Sequence, residues 1–139
     1  MELVIQNDLR EIETLTRFVE QFAEQHKLPP KLSFQINLAL EELVTNIISY
    51  GYSDAGPHKI RLVLHMADGR LTAEVEDDGC AFNPLEAPPP DLDVPLEDRP
   101  VGGLGIHLVK NMFDSMDYRR ENDKNWLILT KNHVNVGAT

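Results

Sequence analysis

The sequence predicts an α/β fold of the α+β two-layer sandwich type, one mixed sheet with helices on one face. Three observations carry this expectation. Two N-terminal stretches repeat apolar residues at three- and four-residue steps, and two later stretches alternate apolar with polar residues. The order they make is strand, two helices, hairpin, long loop, helix and hairpin. A chain of 139 residues of ordinary apolar content suits a single domain, so residues 1–139 are read as one unit with one core and no internal repeat.

Residues 2–6 (ELVIQ) suit a short strand. Asp8 and Glu11 then stand in capping-box spacing, Asp taking the place of the usual Ser or Thr, and predict a helix start. Leu9, Ile12, Leu15, Val19, Phe22 and Ala23 form one face of that helix to about His26, and Leu28-Pro29-Pro30 ends it. A second helix runs from about Lys31 to Tyr50, with Ile36, Leu40, Leu43, Val44 and Ile47 on one side and Glu42, Asn46 and Ser49 opposite. Gly51 and the Ser53–Pro57 turn stop it.

Ile60, Leu62, Leu64 and Met66 alternate with Lys59, Arg61, Val63 and His65; Leu71, Ala73 and Val75 repeat the period, and Asp68-Gly69 between them marks a two-residue hairpin turn. Counting outward from that turn opposes Arg61 with Glu76, Leu62 with Val75 and Ile60 with Asp77. Asp77 is therefore expected on the apolar face, where an ionised carboxylate needs a partner. From Asn83 to Pro100 the chain is rich in proline and acid and reads as a long irregular loop. Residues 101–105 (VGGLG) lead into a short helix carrying Ile106, Leu108, Val109 and Met112. A last hairpin is expected with strands Met116–Arg120 and Trp126–Thr130, a turn region Glu121–Asn125, and a polar, frayed tail from Lys131.

Composition removes several classes of function. The formal net charge of -10 repels a nucleic-acid backbone, and no basic cluster offsets it, so direct nucleic-acid binding is not expected. No stretch reaches the roughly 20 apolar residues of a membrane span, and no secretory signal is evident, which points to a cytoplasmic chain without membrane contact. The single cysteine, Cys80, forms no internal disulfide, and the five histidines lack zinc-site spacing.

Three short segments can carry chemistry. Glu42 and Asn46, four apart on one helix, point the same way: a carboxylate can accept a proton, and an amide oxygen is a hard ligand for Mg²⁺. The same spacing also suits a merely solvated face, for which neighbouring Glu41 is a precedent. Asp77, set inward, can accept a hydrogen bond from an exocyclic amine such as adenine's while Gly79 lets backbone approach a flat ring; an acidic turn at a strand end is the alternative. Gly102, Gly103 and Gly105 precede a helix whose free N–H groups can meet phosphate oxygens, though the run is neither a Walker loop nor a dinucleotide fingerprint. Cys80, Trp126 and His107 read as loop, packing and surface residues.

Taken in order, Glu42–Asn46 (ELVTN), Val75–Gly79 (VEDDG) and Gly102–Ile106 (GGLGI) resemble the N, G1 and G2 boxes of the GHKL ATPases. Within that superfamily the chain is similar to the anti-sigma factor serine/threonine-protein kinases, most visibly over Ala39–Tyr52 (ALEELVTNIISYGY). The resemblance implies a Bergerat-type ATPase fold, with ATP and Mg²⁺ as cofactors and an ATP lid at about residues 80–104. It assigns Glu42 as general base, Asn46 as Mg²⁺ ligand, Asp77 as adenine reader and Gly79 as its backbone partner. By the same resemblance Gly103 and Gly105 are the phosphate-side lid hinge, and Leu104 between them is a cofactor-binding residue. The lid is acidic, with Arg99 the only basic residue between Asp77 and Gly105.

What the resemblance implies for function is phosphorylation of a serine on a small anti-sigma-factor antagonist, alternating with sequestration of a sigma factor; a homodimer is suggested on the same ground. A nucleotide-gated binding module without phosphotransfer is the alternative. The catalytic domain of a histidine kinase is the third reading, disfavoured because no phospho-accepting histidine helix precedes residue 30.

Overall fold

The computed structural model of the chain describes residues 1–54, 56–83 and 103–134. Strand β1 (Glu2–Gln6) leads through a 3-10 turn (Leu9–Glu11) into helix α1 (Ile12–Gln25), followed by helix α2 (Pro30–Tyr50), strands β2 (Lys59–Ala67) and β3 (Arg70–Asp77), helix α3 (Gly103–Met112) and strands β4 (Ser115–Glu121) and β5 (Lys124–Lys131). The loop predicted over Asn83–Pro100, Arg99 with it, and the Val101-Gly102 entry to α3 lie outside the described residues except for Asn83.

Local sequence explains most boundaries. Asp8 caps the first turn by accepting a hydrogen bond from the Arg10 amide at 2.9 Å. Glu11 reaches back as a capping box requires, but to the Gln6 amide, which joins the helix start to the end of β1. Pro30, at the first position of α2, has no N–H to satisfy there, and Gly51 closes the other end with its amide on the Ile47 carbonyl at 2.8 Å. Asp68 and Gly69 both take positive φ, 52° and 76°, the conformation of the tight hairpin turn that this pair predicts.

The five strands form one sheet in the order β1-β2-β3-β5-β4, and all four neighbouring pairs are antiparallel. The order of elements suggests a mixed sheet, and a helical crossover such as the one from β3 to β4 commonly joins parallel strands. These two do run parallel, but β5 folds back between them, so no parallel neighbours remain. The register of β2 on β3 is the one counted from the turn, Arg61 opposite Glu76 and Ile60 opposite Asp77.

The helices cover one sheet face. Leu15, Val19 and Phe22 of α1 and Ile36, Leu40 and Val44 of α2 meet Ile60, Leu62, Leu64, Leu71, Ala73 and Leu129 in a single core. Glu41, read above as a freely exposed acid, instead ties the two helices by accepting from the Thr16 hydroxyl at 3.1 Å and the Asn37 amide at 3.3 Å. The last hairpin differs from expectation in its turn. Asn122 and Asp123 alone make it, both at positive φ, so the strands extend to Glu121 and back from Lys124. Nor is the start of the tail frayed: Val134 is buried and its amide reaches the Gly69 carbonyl at 2.8 Å. Among the described residues no helix is long and apolar enough to cross a membrane.

Candidate functional site

Two of the three segments, helix α2 and the turn after β3, are joined at one end of the sheet, while the third opens α3, which packs against α2. From α2 come Glu42 and Asn46, both partly buried, with the Asn46 amide nitrogen donating to Glu42 Oε1 at 3.1 Å. That bond turns the amide so that, among the described residues, its oxygen has no hydrogen-bond partner, a hard acceptor beside a carboxylate. Ser49, on the same side by sequence, is exposed.

The end of β3 contributes Asp77, which is buried, as its register predicts. Its Oδ1 accepts from the Gly79 amide at 2.8 Å and from the Asn125 side-chain amide at 3.0 Å. Both bonds fall on one oxygen, so among the described residues Oδ2 carries no hydrogen bond. Burial pushes the carboxyl above the ordinary carboxylate range, while the Asn125 and Gly79 bonds pull it back; Asp78 raises it further and Arg120 lowers it.

Asn125, absent from the sequence reading as a site residue, is the centre of this end. It sits directly opposite Asp77 across the β3–β5 pair, is as buried as Asp77, and also reaches the Cys80 carbonyl at 2.8 Å. Its side-chain oxygen accepts from the Tyr118 hydroxyl, and Arg120 binds the Gly79 carbonyl at 2.8 Å. These bonds fix the backbone from Asp77 to Cys80 on its β4–β5 side.

On the other side the Cys80 amide donates to the Gly51 carbonyl at 2.6 Å, tying the turn to the end of α2. This contact by itself calls for glycine at residue 79. A Cβ there would press into the Gly51 carbonyl and stand 3.0 Å from Asp77 Oδ1. Gly79→Ala is therefore expected to cost about 1–3 kcal/mol in urea unfolding, since backbone must shift to admit the methyl; an unchanged midpoint would show the contact to be slack.

Gly103, Leu104 and Gly105 form the first turn of α3, a helix that packs against α2, so the third segment opens a helix as its glycines predict. Most of the proposed lid lies outside the described residues. Cys80 and His107 are exposed, and Trp126 lies on the sheet face away from the helices, opposite Glu76.

The profile of the histidine kinase-like ATPase domain family matches residues 5–131. The chain belongs to this family. Among curated relatives, the serine/threonine-protein kinase BtrW of Bordetella bronchiseptica is 28% identical over 113 residues, covering 81% of this chain and 80% of its own. The serine-protein kinase RsbW of Bacillus mycoides is 29% identical over 104 residues, 71% of this chain; the match spans 62% of the relative, less than two thirds of its length. The RsbU and RsbW domains of a Mycobacterium tuberculosis protein superpose with a TM-score of 0.62 at 16% identity, covering 95% of this chain and 32% of that one. The histidine kinase domain of a blue-light-activated kinase from Erythrobacter litoralis gives 0.56 at 15% identity, covering 90% and 60%. At such identity the two structures speak for the fold, and they bear out the Bergerat-type sandwich. The relatives' names bear out the resemblance to serine kinases of this superfamily.

In this ATPase domain, then, the first two boxes, read separately from sequence, are physically joined. The Gly51–Cys80 bond connects the helix bearing Glu42 and Asn46 with the turn bearing Asp77 and Gly79.

Proposed function

We propose that the chain is an ATP-dependent protein-serine/threonine kinase whose substrate is a small anti-sigma-factor antagonist, and whose other partner is a sigma factor. The observation that carries this reading is the Asn46–Glu42 hydrogen bond, which leaves a carboxylate oxygen and an amide oxygen side by side. Such a pair suits proton removal next to a cation. Mg-ATP, when bound, supplies the transferable phosphoryl group together with charge to offset it.

The chain's own residues do the rest. Asp77 Oδ2 accepts from the adenine amine, with Oδ1 already held by Gly79 and Asn125. Asn46 Oδ1 would hold Mg²⁺, a hard amide oxygen of the kind that ion accepts. Glu42 takes the proton of the serine hydroxyl as its oxygen bonds to the terminal phosphorus and the bond to ADP breaks. Gly103, Leu104 and Gly105 present the start of α3 to the phosphates.

The test is which amino acid gains phosphate. With γ-labelled Mg-ATP and candidate antagonists encoded near the gene, acid-stable label on serine is expected. Acid-labile label on histidine, or label on none of them while ATP is bound, overturns the kinase reading; the latter result favours a nucleotide-gated binding module.

A further inference from the structure

His58, between the end of α2 and β2, plays no part in the reading above, yet both its ring nitrogens meet carboxylates. Nε2 lies 2.8 Å from Asp54 Oδ1, and Nδ1 lies 3.1 Å from Asp78 Oδ1 and 3.3 Å from Oδ2. A neutral imidazole has one N–H, so one of these contacts would set lone pair against lone pair; an imidazolium satisfies both. The ring is stacked on Tyr52, centroids 4.1 Å apart and planes 12° from parallel, and its side chain is 19% exposed. Its backbone is held as well: the His58 amide donates to Asn7 Oδ1 at 2.9 Å, and its carbonyl accepts from the Asn7 amide at 3.0 Å.

The charged and titratable neighbours are thus Asp54 and Tyr52 from the segment after α2 and Asp78 from the end of β3, with uncharged Asn7 following β1. Hydrogen bonds to Asp54 and then Asp78 raise the His58 pKa above its ordinary value and lower that of Asp54. Tyr52 is pushed up by burial and by Asp77, Asp78 and Asp54, so it stays protonated throughout the working range.

Asp78 directly follows Asp77. We propose that His58 is a positioning residue of the nucleotide pocket: as an imidazolium it clamps Asp54 to Asp78, holds the Asp77–Gly79 turn against the segment leaving α2, and offsets negative charge where an anionic nucleotide must dock. This rests on the nucleotide-site reading of Asp77. The sign follows from the raised pKa. The stabilising contribution is complete below the unfolded histidine value and is lost as pH rises through the folded one. Nucleotide affinity should fall in the same direction.

The experiment has two arms. Imidazole ¹⁵N NMR on the full chain should show His58 titrating with a midpoint above about 6.5, both nitrogens protonated below it. Mg-ATP affinity, measured by calorimetry from about pH 6 to about pH 9, should decline more in the wild type than in His58→Gln, by roughly 2- to 5-fold, the size of one screened charge interaction. Titration of the nucleotide is common to both proteins and cancels. His58→Lys keeps a cation over this range, so its profile should be as flat as that of His58→Gln but at higher affinity. A midpoint at or below about 6.5, or superimposable wild-type and His58→Gln profiles, overturns the proposal. If the wild type binds no nucleotide at any pH, the pocket reading fails, while the NMR midpoint still decides whether the clamp exists.

Discussion

An Asp77→Asn variant is expected to bind ATP at least about 10-fold more weakly while folding as well as the parent, because loss of a hydrogen bond to a charged acceptor costs about 1.5–3 kcal/mol. Asparagine keeps an oxygen for the Gly79 amide and the Asn125 side chain, both of which bond Oδ1 alone. What it loses is the second carboxylate oxygen, now an amide that donates where a donor must be received. The fold should not suffer, and pH shows why. A carboxyl whose folded pKa lies above its unfolded one holds its proton more tightly in the folded chain, so its contribution to stability declines as pH rises through the raised value. Removing that ionisation leaves the variant no less stable than the parent near neutrality. Calorimetry and thermal unfolding on the same sample check both halves; unchanged affinity in a folded variant would sink the adenine role of Asp77.

The second large effect is expected at Glu42. Glutamine is nearly isosteric and retains an oxygen for the Asn46 amide, so the hydrogen bond within the pair is preserved and nucleotide binding should change little. Its neutral amide cannot take a proton from a serine hydroxyl, and phosphotransfer should drop by about 10²- to 10⁴-fold, the usual worth of a general base. Single-turnover transfer of labelled phosphate, with ATP affinity measured beside it, separates the two. Undiminished transfer by Glu42→Gln would show that another group is the base.

Asp77 was legible because its surroundings are local in sequence. A two-residue turn fixes the β2–β3 register, and the register decides which face the carboxylate occupies. Asn125 obeys the same rule, in phase with buried Leu127 and Leu129, but the reading assigned it to a turn. Had Asn122-Asp123 been recognised as the whole turn, since both residues tolerate positive φ, a buried polar residue would have been evident there too. Its pairing with Asp77 would still have been hidden, because the β3–β5 contact joins segments nearly 50 residues apart and no local pattern specifies it. His58 was missed for a related reason. Neither Asp54 nor Asp78 gains meaning until the turn after α2 is folded against the end of β3.

The bond from the Cys80 amide to the Gly51 carbonyl makes α2 a ruler with a fixed zero. Measured from Gly51 at about 1.5 Å per residue, Asn46 stands about 7.5 Å and Glu42 about 13.5 Å along the helix. With the base anchored at Asp77 on the proposed reading, how far a ligand's last phosphate travels along this scale depends on how many phosphates it has. The difference between ATP and ADP is then gauged by one stiff helix, with no need for the two ends of the pocket to move apart or together.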